Sequence, residues 1–105
     1  MTVLINIPDT AAPGEIVEIK ILIQHPMETG FRTGLDGTLV PRDIIESLAC
    51  LYLGEEVFRA DLYPAITANP FLGFHLRADT TGDVEFIWTD NAGVTSREVR
   101  TLTVS

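Results

Sequence analysis

Residues 15–25 alternate between apolar and polar side chains, and this alternation restricts the fold more than any other feature of the chain. In an extended strand, one face of this segment would carry Val17, Ile19, Ile21 and Ile23. A helix, with its period of 3.6, would spread those four side chains around its circumference. The segment therefore predicts a β-strand with one buried face and one wet face.

Similar segments recur along the chain and are separated by turn signals such as Gly54-Glu55, Thr81-Gly82 and Asp90-Asn91. The strands predicted in this way cover residues 2–7, 15–25, 44–53, 56–63, 71–78, 84–89 and 94–104. Residues 44–53 are apolar on both faces, as in a central strand. About seven strands in a chain of this length predict one immunoglobulin-like, antiparallel β-sandwich domain spanning residues 1–105.

The charge balance argues against two classes of partner. Seven basic residues stand against fifteen acidic ones, and the net charge is −8. A nucleic-acid binder or a protein of anionic membrane surfaces needs a basic face, which this chain cannot easily build. The N-terminus lacks the basic start and apolar run of a signal peptide, so the sequence by itself predicts a cytoplasmic protein.

A copper site or a cysteine nucleophile would have to use the single cysteine, Cys50. Its companions in a blue-copper site would be His25, His75 and either Met27 or Met1. The spacing is poor, because Cys50 and His75 fall inside two different predicted strands. We therefore expect a buried, slowly reacting Cys50, no metal or cofactor of functional importance, and no catalytic residue.

The connection over residues 26–42 is unusually long and holds three glycines and two prolines. Asp36-Gly37 predicts a small hairpin within it. At its start, HPMETGFR combines residue types that are frequent at protein interfaces, and its candidate contact residues are His25, Met27, Glu28, Phe31 and Arg32. The alternative is a loop that caps the core with Met27 and Phe31.

A second candidate surface surrounds Asn69 and Phe71. Phe71 and Phe74 have opposite parity in one predicted strand, so both rings cannot enter the same core. One of the two faces is then free for a partner.

The same segments resemble a known family. HPMETGFR, then PRDII, then GEEVFRADLYPAITANPF and a Trp-Thr-Asp hairpin occur in order along residues 5–104. This series resembles the SoxZ family of sulfur-oxidation proteins, which implies an immunoglobulin-like sandwich without catalytic activity.

The resemblance also implies a partner and a compartment. SoxZ proteins pair with SoxY, which carries sulfur on a cysteine in a glycine-rich arm, and other sulfur-oxidation enzymes visit that complex transiently in the periplasm. The chain would then be exported with a signal-bearing partner. Arg32 would suit a carboxylate or an anionic sulfur adduct, unless Glu28 orients it instead.

Two expectations remain open at this point. An isolated chain whose partner surface is free would be able to pair with itself around a two-fold axis. The alternative to the carrier subunit is an independent β-sandwich module that binds a small ligand or metal.

Overall fold

The computed structural model describes residues 3–62 and 69–105, which form eight strands. Seven of them match the segments predicted from the sequence. The strands are β1 (Val3–Asn6), β2 (Thr10–Ala11), β3 (Ile16–Ile23), β4 (Ile45–Tyr52), β5 (Glu55–Asp61), β6 (Phe71–Arg77), β7 (Gly82–Asp90) and β8 (Thr95–Val104).

The strands form two sheets packed face to face. One sheet has the order β1-β3-β6, and the other has the order β2-β8-β7-β4-β5. All pairings are antiparallel except β2 with β8, which is parallel. The predicted sandwich is confirmed, with the correction that its larger sheet is mixed.

The core lies between the sheets, where the alternation predicted it. Ile19, Ile21 and Ile23 of β3 are at most 1% exposed, and Phe86 of β7 is fully buried. At one lateral edge the rings of Phe58 on β5 and Phe74 on β6 stack with centroids 4.5 Å apart. This stack joins the edge strands of the two sheets.

The structure adds one strand, corrects the predicted burial of another, and leaves part of the predicted elements outside the described residues. The two-residue strand β2 was missed, because two residues have no periodicity to detect. Strand β4 is central in the pairing, yet only one of its faces is buried, and Leu51 on the other face is half-buried. Residues 63–68, which end one predicted strand and begin the predicted connection, lie outside the described residues, as does Met1.

The sandwich is elongated, with principal extents of 57 × 19 × 19 Å. Its radius of gyration is 16.1 Å, against about 13 Å for a compact domain of this length. One end carries the connection from β3 to β4 and the turn after β7. No helix of membrane-spanning length and hydropathy occurs within residues 3–62 and 69–105.

Candidate functional site

The 25–32 loop begins at a buried histidine. The His25 side chain is 3% exposed, and both of its ring nitrogens lie close to polar atoms. Its Nδ1 accepts a bond of 3.0 Å from the Met27 backbone N–H, and its Nε2 lies 3.3 Å from Asp43 Oδ1. Because Nδ1 is an acceptor, Nε2 is the ring nitrogen that carries a proton, and it lies beside the Asp43 carboxylate.

Asn69 holds the backbone of the same histidine through two hydrogen bonds. Its side-chain Oδ1 accepts from the His25 backbone N–H at 3.1 Å, and its own N–H donates to the His25 carbonyl at 2.8 Å. Asn69 has a positive φ of 55°, a conformation that asparagine tolerates better than most residues. The structure thus brings together two of the predicted candidates that are 44 residues apart.

Met27 points its thioether side chain into the core. It is 5% exposed, has a positive φ of 52°, and its Sδ accepts from the Ile45 N–H at 3.3 Å. The next residue, Glu28, exchanges two backbone hydrogen bonds of 2.8 Å each with Asp43. The first half of the loop is therefore fixed to the start of β4.

Asn91, in the turn after β7, completes this anchoring. Its Oδ1 accepts from the Ile44 N–H at 2.8 Å, and its Nδ2 donates to the Arg42 carbonyl at 3.1 Å. From the sequence, this asparagine is identified only as part of a turn signal, and Asp43 is not singled out. Both roles were missed because the partners lie far away in sequence.

Beyond Glu28 the loop faces solvent. Phe31 is 78% exposed, so the alternative in which Phe31 caps the core is wrong for this residue, whereas Met27 does cap the core. Arg32 forms a forked pair with Glu28, with Nε 3.0 Å from Oε2 and Nη2 2.7 Å from Oε1. The i+4 orientation considered for Glu28 is thus present in the structure.

This ion pair changes the acid–base properties of both groups. The hydrogen bond from Arg32 lowers the pKa of the Glu28 carboxyl, with a further lowering from the positive charge of Arg32. The same hydrogen bond raises the pKa of Arg32. Two of the five guanidinium donors are occupied, and the rest remain on the 60% exposed side chain.

Further along the connection, the predicted hairpin is present. Thr33 and Leu39 form an isolated bridge, and the Gly37 N–H donates to the Gly34 carbonyl at 3.1 Å. Leu35 at the tip is fully exposed.

Phe71 lies on the outer face of the smaller sheet and is 61% exposed, while Phe74 faces the core. The pairing register places Phe71 beside Leu22 and Leu22 beside Leu4. Leu4 is 55% exposed, so three apolar side chains form one row across the three strands. This row could not be found from the sequence, because it depends on the register.

Cys50 is confirmed as a buried residue, with no exposed area. Burial raises the pKa of its thiol to about 12, so the reactive thiolate is scarce at neutral pH.

The opposite end of the molecule has a groove of about 460 Å³ beside β6. Its lining mixes apolar residues with both signs of charge, since Arg77 lies there with Glu55 and Asp79. Within the described part of the chain, no group of three or more His, Cys, Asp or Glu side chains is placed to hold a metal ion.

Comparison with known protein families identifies a match over nearly the whole chain. A family model described as sulphur oxidation protein SoxZ matches residues 5–101. No curated protein matches the sequence at a significant level.

Solved structures share the fold at low identity. The sulfur carrier protein SoxY from Chlorobium limicola f thiosulfatophilum has a TM-score of 0.70 and 17% identity, over 98% of this chain and 78% of that one. A superoxide reductase (neelaredoxin) from Ignicoccus hospitalis has a TM-score of 0.72 and 16% identity, over 100% and 81%. A putative superoxide reductase from Thermotoga maritima has a TM-score of 0.75 and 15% identity, over 98% and 85%. At these identities the likeness shows the fold alone.

Proposed function

The chain belongs to the SoxZ family of sulphur oxidation proteins, and from this premise we propose that it is a non-catalytic subunit which pairs with a SoxY-type sulfur carrier. In this role it would bind the carrier as a heterodimer, and the other sulfur-oxidation enzymes would visit the complex transiently. The 25–32 loop is the surface that carries the proposal.

The loop is built as recognition surfaces commonly are, with a fixed base and an exposed tip. His25 and Met27 are buried and hydrogen-bonded, whereas Phe31 is 78% exposed. An exposed aromatic ring on a fixed backbone loses little entropy on binding, and such rings are frequent binding hot spots. We assign contact with the carrier to Phe31 and Arg32, positioned by His25, Met27 and Glu28.

The second part of the proposed surface is the apolar row of Leu4, Leu22 and Phe71. Asn69 links this row to the loop, because it bonds to His25 and lies two residues before Phe71. A partner that covers Phe31 and Phe71 would bury two exposed rings of one end of the sandwich.

The state of the cysteine supports a non-catalytic role. Cys50 is the one cysteine of the sequence, and it is buried with its pKa raised to about 12. A covalent sulfur carrier needs an accessible thiolate. The sulfur intermediate would therefore be held by the partner.

Co-purification with a SoxY-type carrier tests the proposal. We expect a 1:1 complex by light scattering and support of thiosulfate oxidation in a reconstituted system. Cys50→Ala is the decisive variant, because it should keep both properties apart from a stability cost of about 1 kcal/mol or more. A chain that forms no complex, or an oxidation rate that disappears with Cys50→Ala in a folded protein, contradicts the proposal.

We further propose that the chain works in the periplasm, exported together with a signal-bearing partner. Cell fractionation with and without that partner tests this part. We expect the chain in the periplasm only when the partner is made, and retention in the cytoplasm in both strains would refute it.

A further inference from the structure

The edge strands of the two sheets are protected to very different degrees. β1 and β2 are short, with four and two residues. β5 carries four charged side chains and a register shift opposite Cys50 and Leu51. β6 has seven residues, pairs with β3 without a register shift, and has one fixed charge, at Arg77. Bulges, charges and shortness are the usual protections of an edge, and β6 has the fewest of them.

The hydrogen bonds at the two ends of β6 show which backbone groups face its free edge. The Pro70 carbonyl accepts from the Ile23 N–H, and Ala78 bonds to Glu15 and Gly14, all on the β3 side. Backbone groups alternate sides along a strand, so the even-numbered residues face β3. The N–H and C=O groups of the odd-numbered residues therefore face the free edge, where no residue of 3–62 or 69–105 pairs with them. These residues are Phe71, Gly73, His75 and Arg77.

We propose that β6 pairs antiparallel with β6 of a second copy around a two-fold axis at Phe74. This inference concerns the chain alone and does not rest on the proposed carrier function. In this register Gly73 faces His75 of the other copy, and Phe71 faces Arg77. Four odd-numbered residues from each copy then exchange all of their free backbone groups, and a register shifted by two residues would leave some unpaired.

The side chains of β6 are complementary to themselves in the same register. Phe71 is 61% exposed and would lie opposite the Arg77 guanidinium, a favourable cation–π arrangement. No ion pair joins the Arg77 side chain to another described residue. Gly73 would lie opposite His75 of the facing strand, where it presents no charge or bulky group.

The side chains on the inner face of β6 are also compatible with a two-fold axis at Phe74. Phe74 would meet its own symmetry mate, and Leu72 would meet Leu76, at the closely spaced, non-hydrogen-bonded positions of the ladder. These three residues already face the core side of the sheet. The two copies would then share one continuous six-stranded sheet of order β1-β3-β6-β6-β3-β1.

Sedimentation equilibrium over a wide range of concentration tests the pairing. We expect the average mass to rise from 11.5 kDa towards twice that value. Gly73→Pro removes an edge donor from each copy but leaves the β3 ladder intact, and it should weaken the dimer by about tenfold or more. The matched control is Gly73→Ala, which keeps the N–H and places its Cβ no closer than 3.7 Å to any neighbour; it should change the dissociation constant by less than about threefold.

Amide hydrogen exchange on the unmodified chain gives a second readout that does not depend on the folding of a variant. The amides of Phe71, Gly73, His75 and Arg77 should become protected as concentration rises. The even-numbered amides of β6 bond to β3 in either state and serve as the internal reference. A chain that stays monomeric, a dimer indifferent to Gly73→Pro, or odd-numbered amides that stay unprotected in the dimer would overturn the proposal.

Discussion

The two halves of the 25–32 loop differ sharply in burial, although they are adjacent in sequence. The first half holds a histidine and a thioether at 4% and 5% exposure, each in hydrogen bonds. The second half holds a phenylalanine that is 78% exposed. Eight consecutive residues thus pass from core to surface without a strand or helix to guide them.

This difference indicates how an irregular segment presents a defined surface. The backbone of the first half is fixed by Asn69, Asp43 and the start of β4, so the second half has a fixed origin. The forked Glu28–Arg32 pair then spans the boundary between the halves. Changes in the first half should affect folding, and changes in the second should affect binding.

The largest expected effect follows from truncating the buried half. Met27→Ala removes a buried side chain and its contact with Ile45, and it should lower the free energy of unfolding by about 2–5 kcal/mol. Denaturant unfolding followed by fluorescence of Trp88 measures this. Leu35→Ala, at the fully exposed hairpin tip, is the control and should change stability by less than about 0.5 kcal/mol. A Met27→Ala loss no larger than the control would remove the distinction between the halves.

The exposed half should show the reverse behaviour. Phe31→Ala should weaken binding of a SoxY-type carrier by about 2 kcal/mol, or roughly thirtyfold, with little change in stability. Isothermal titration calorimetry gives the affinity. Ile16→Ala, which truncates a 59% exposed side chain at the far end of β3, is the matched control. If both variants bind like the unmodified chain, the exposed half is only a surface loop.

The pH dependence of stability in alkali tests the burial of Cys50 in the core and does not involve the loop. Because the native Cys50 pKa is raised to about 12 from 9.0, the unfolded thiol loses its proton first as pH rises. The unfolded state then binds fewer protons than the native state, and stability falls by up to about 1.4 kcal/mol per pH unit above about pH 9. Cys50→Ala should lack this component of the alkaline slope in chemical denaturation. An identical slope in both proteins would show that the thiol titrates normally.

The smallest expected change in the free energy of unfolding comes from loss of the Glu28–Arg32 pair, and it is measured at acid pH. The native pKa of Glu28 is lowered, so its contribution is present above the unfolded pKa and is lost as pH falls through the native value. Glu28→Gln and Arg32→Ala should each remove the same small acid-sensitive part of stability. We also expect Arg32→Ala to slow sulfur loading more than it affects folding. A steeper acid dependence in either variant would contradict the assignment.

Much of the sandwich could be predicted from the sequence, because apolar and polar side chains alternate along its strands with a period of two residues. Val17, Ile19, Ile21 and Ile23 face inward as their parity predicted. The loop could not be predicted in the same way. His25 is fixed by Asp43 and by Asn69, the latter 44 residues away, and no local pattern links them. The same limit applies to the row of Leu4, Leu22 and Phe71, which only the strand register creates.

The elongated outline has a consequence for how this protein behaves in transport measurements. A particle three times longer than it is wide, with extents of 57 × 19 × 19 Å, experiences more friction than a sphere of equal mass. The monomer should therefore elute from a gel-filtration column ahead of globular standards of 11.5 kDa. Elution volume would then suggest a dimer even where none exists, whereas pairing at β6 changes the scattered intensity or the equilibrium sedimentation profile, which report mass independently of shape.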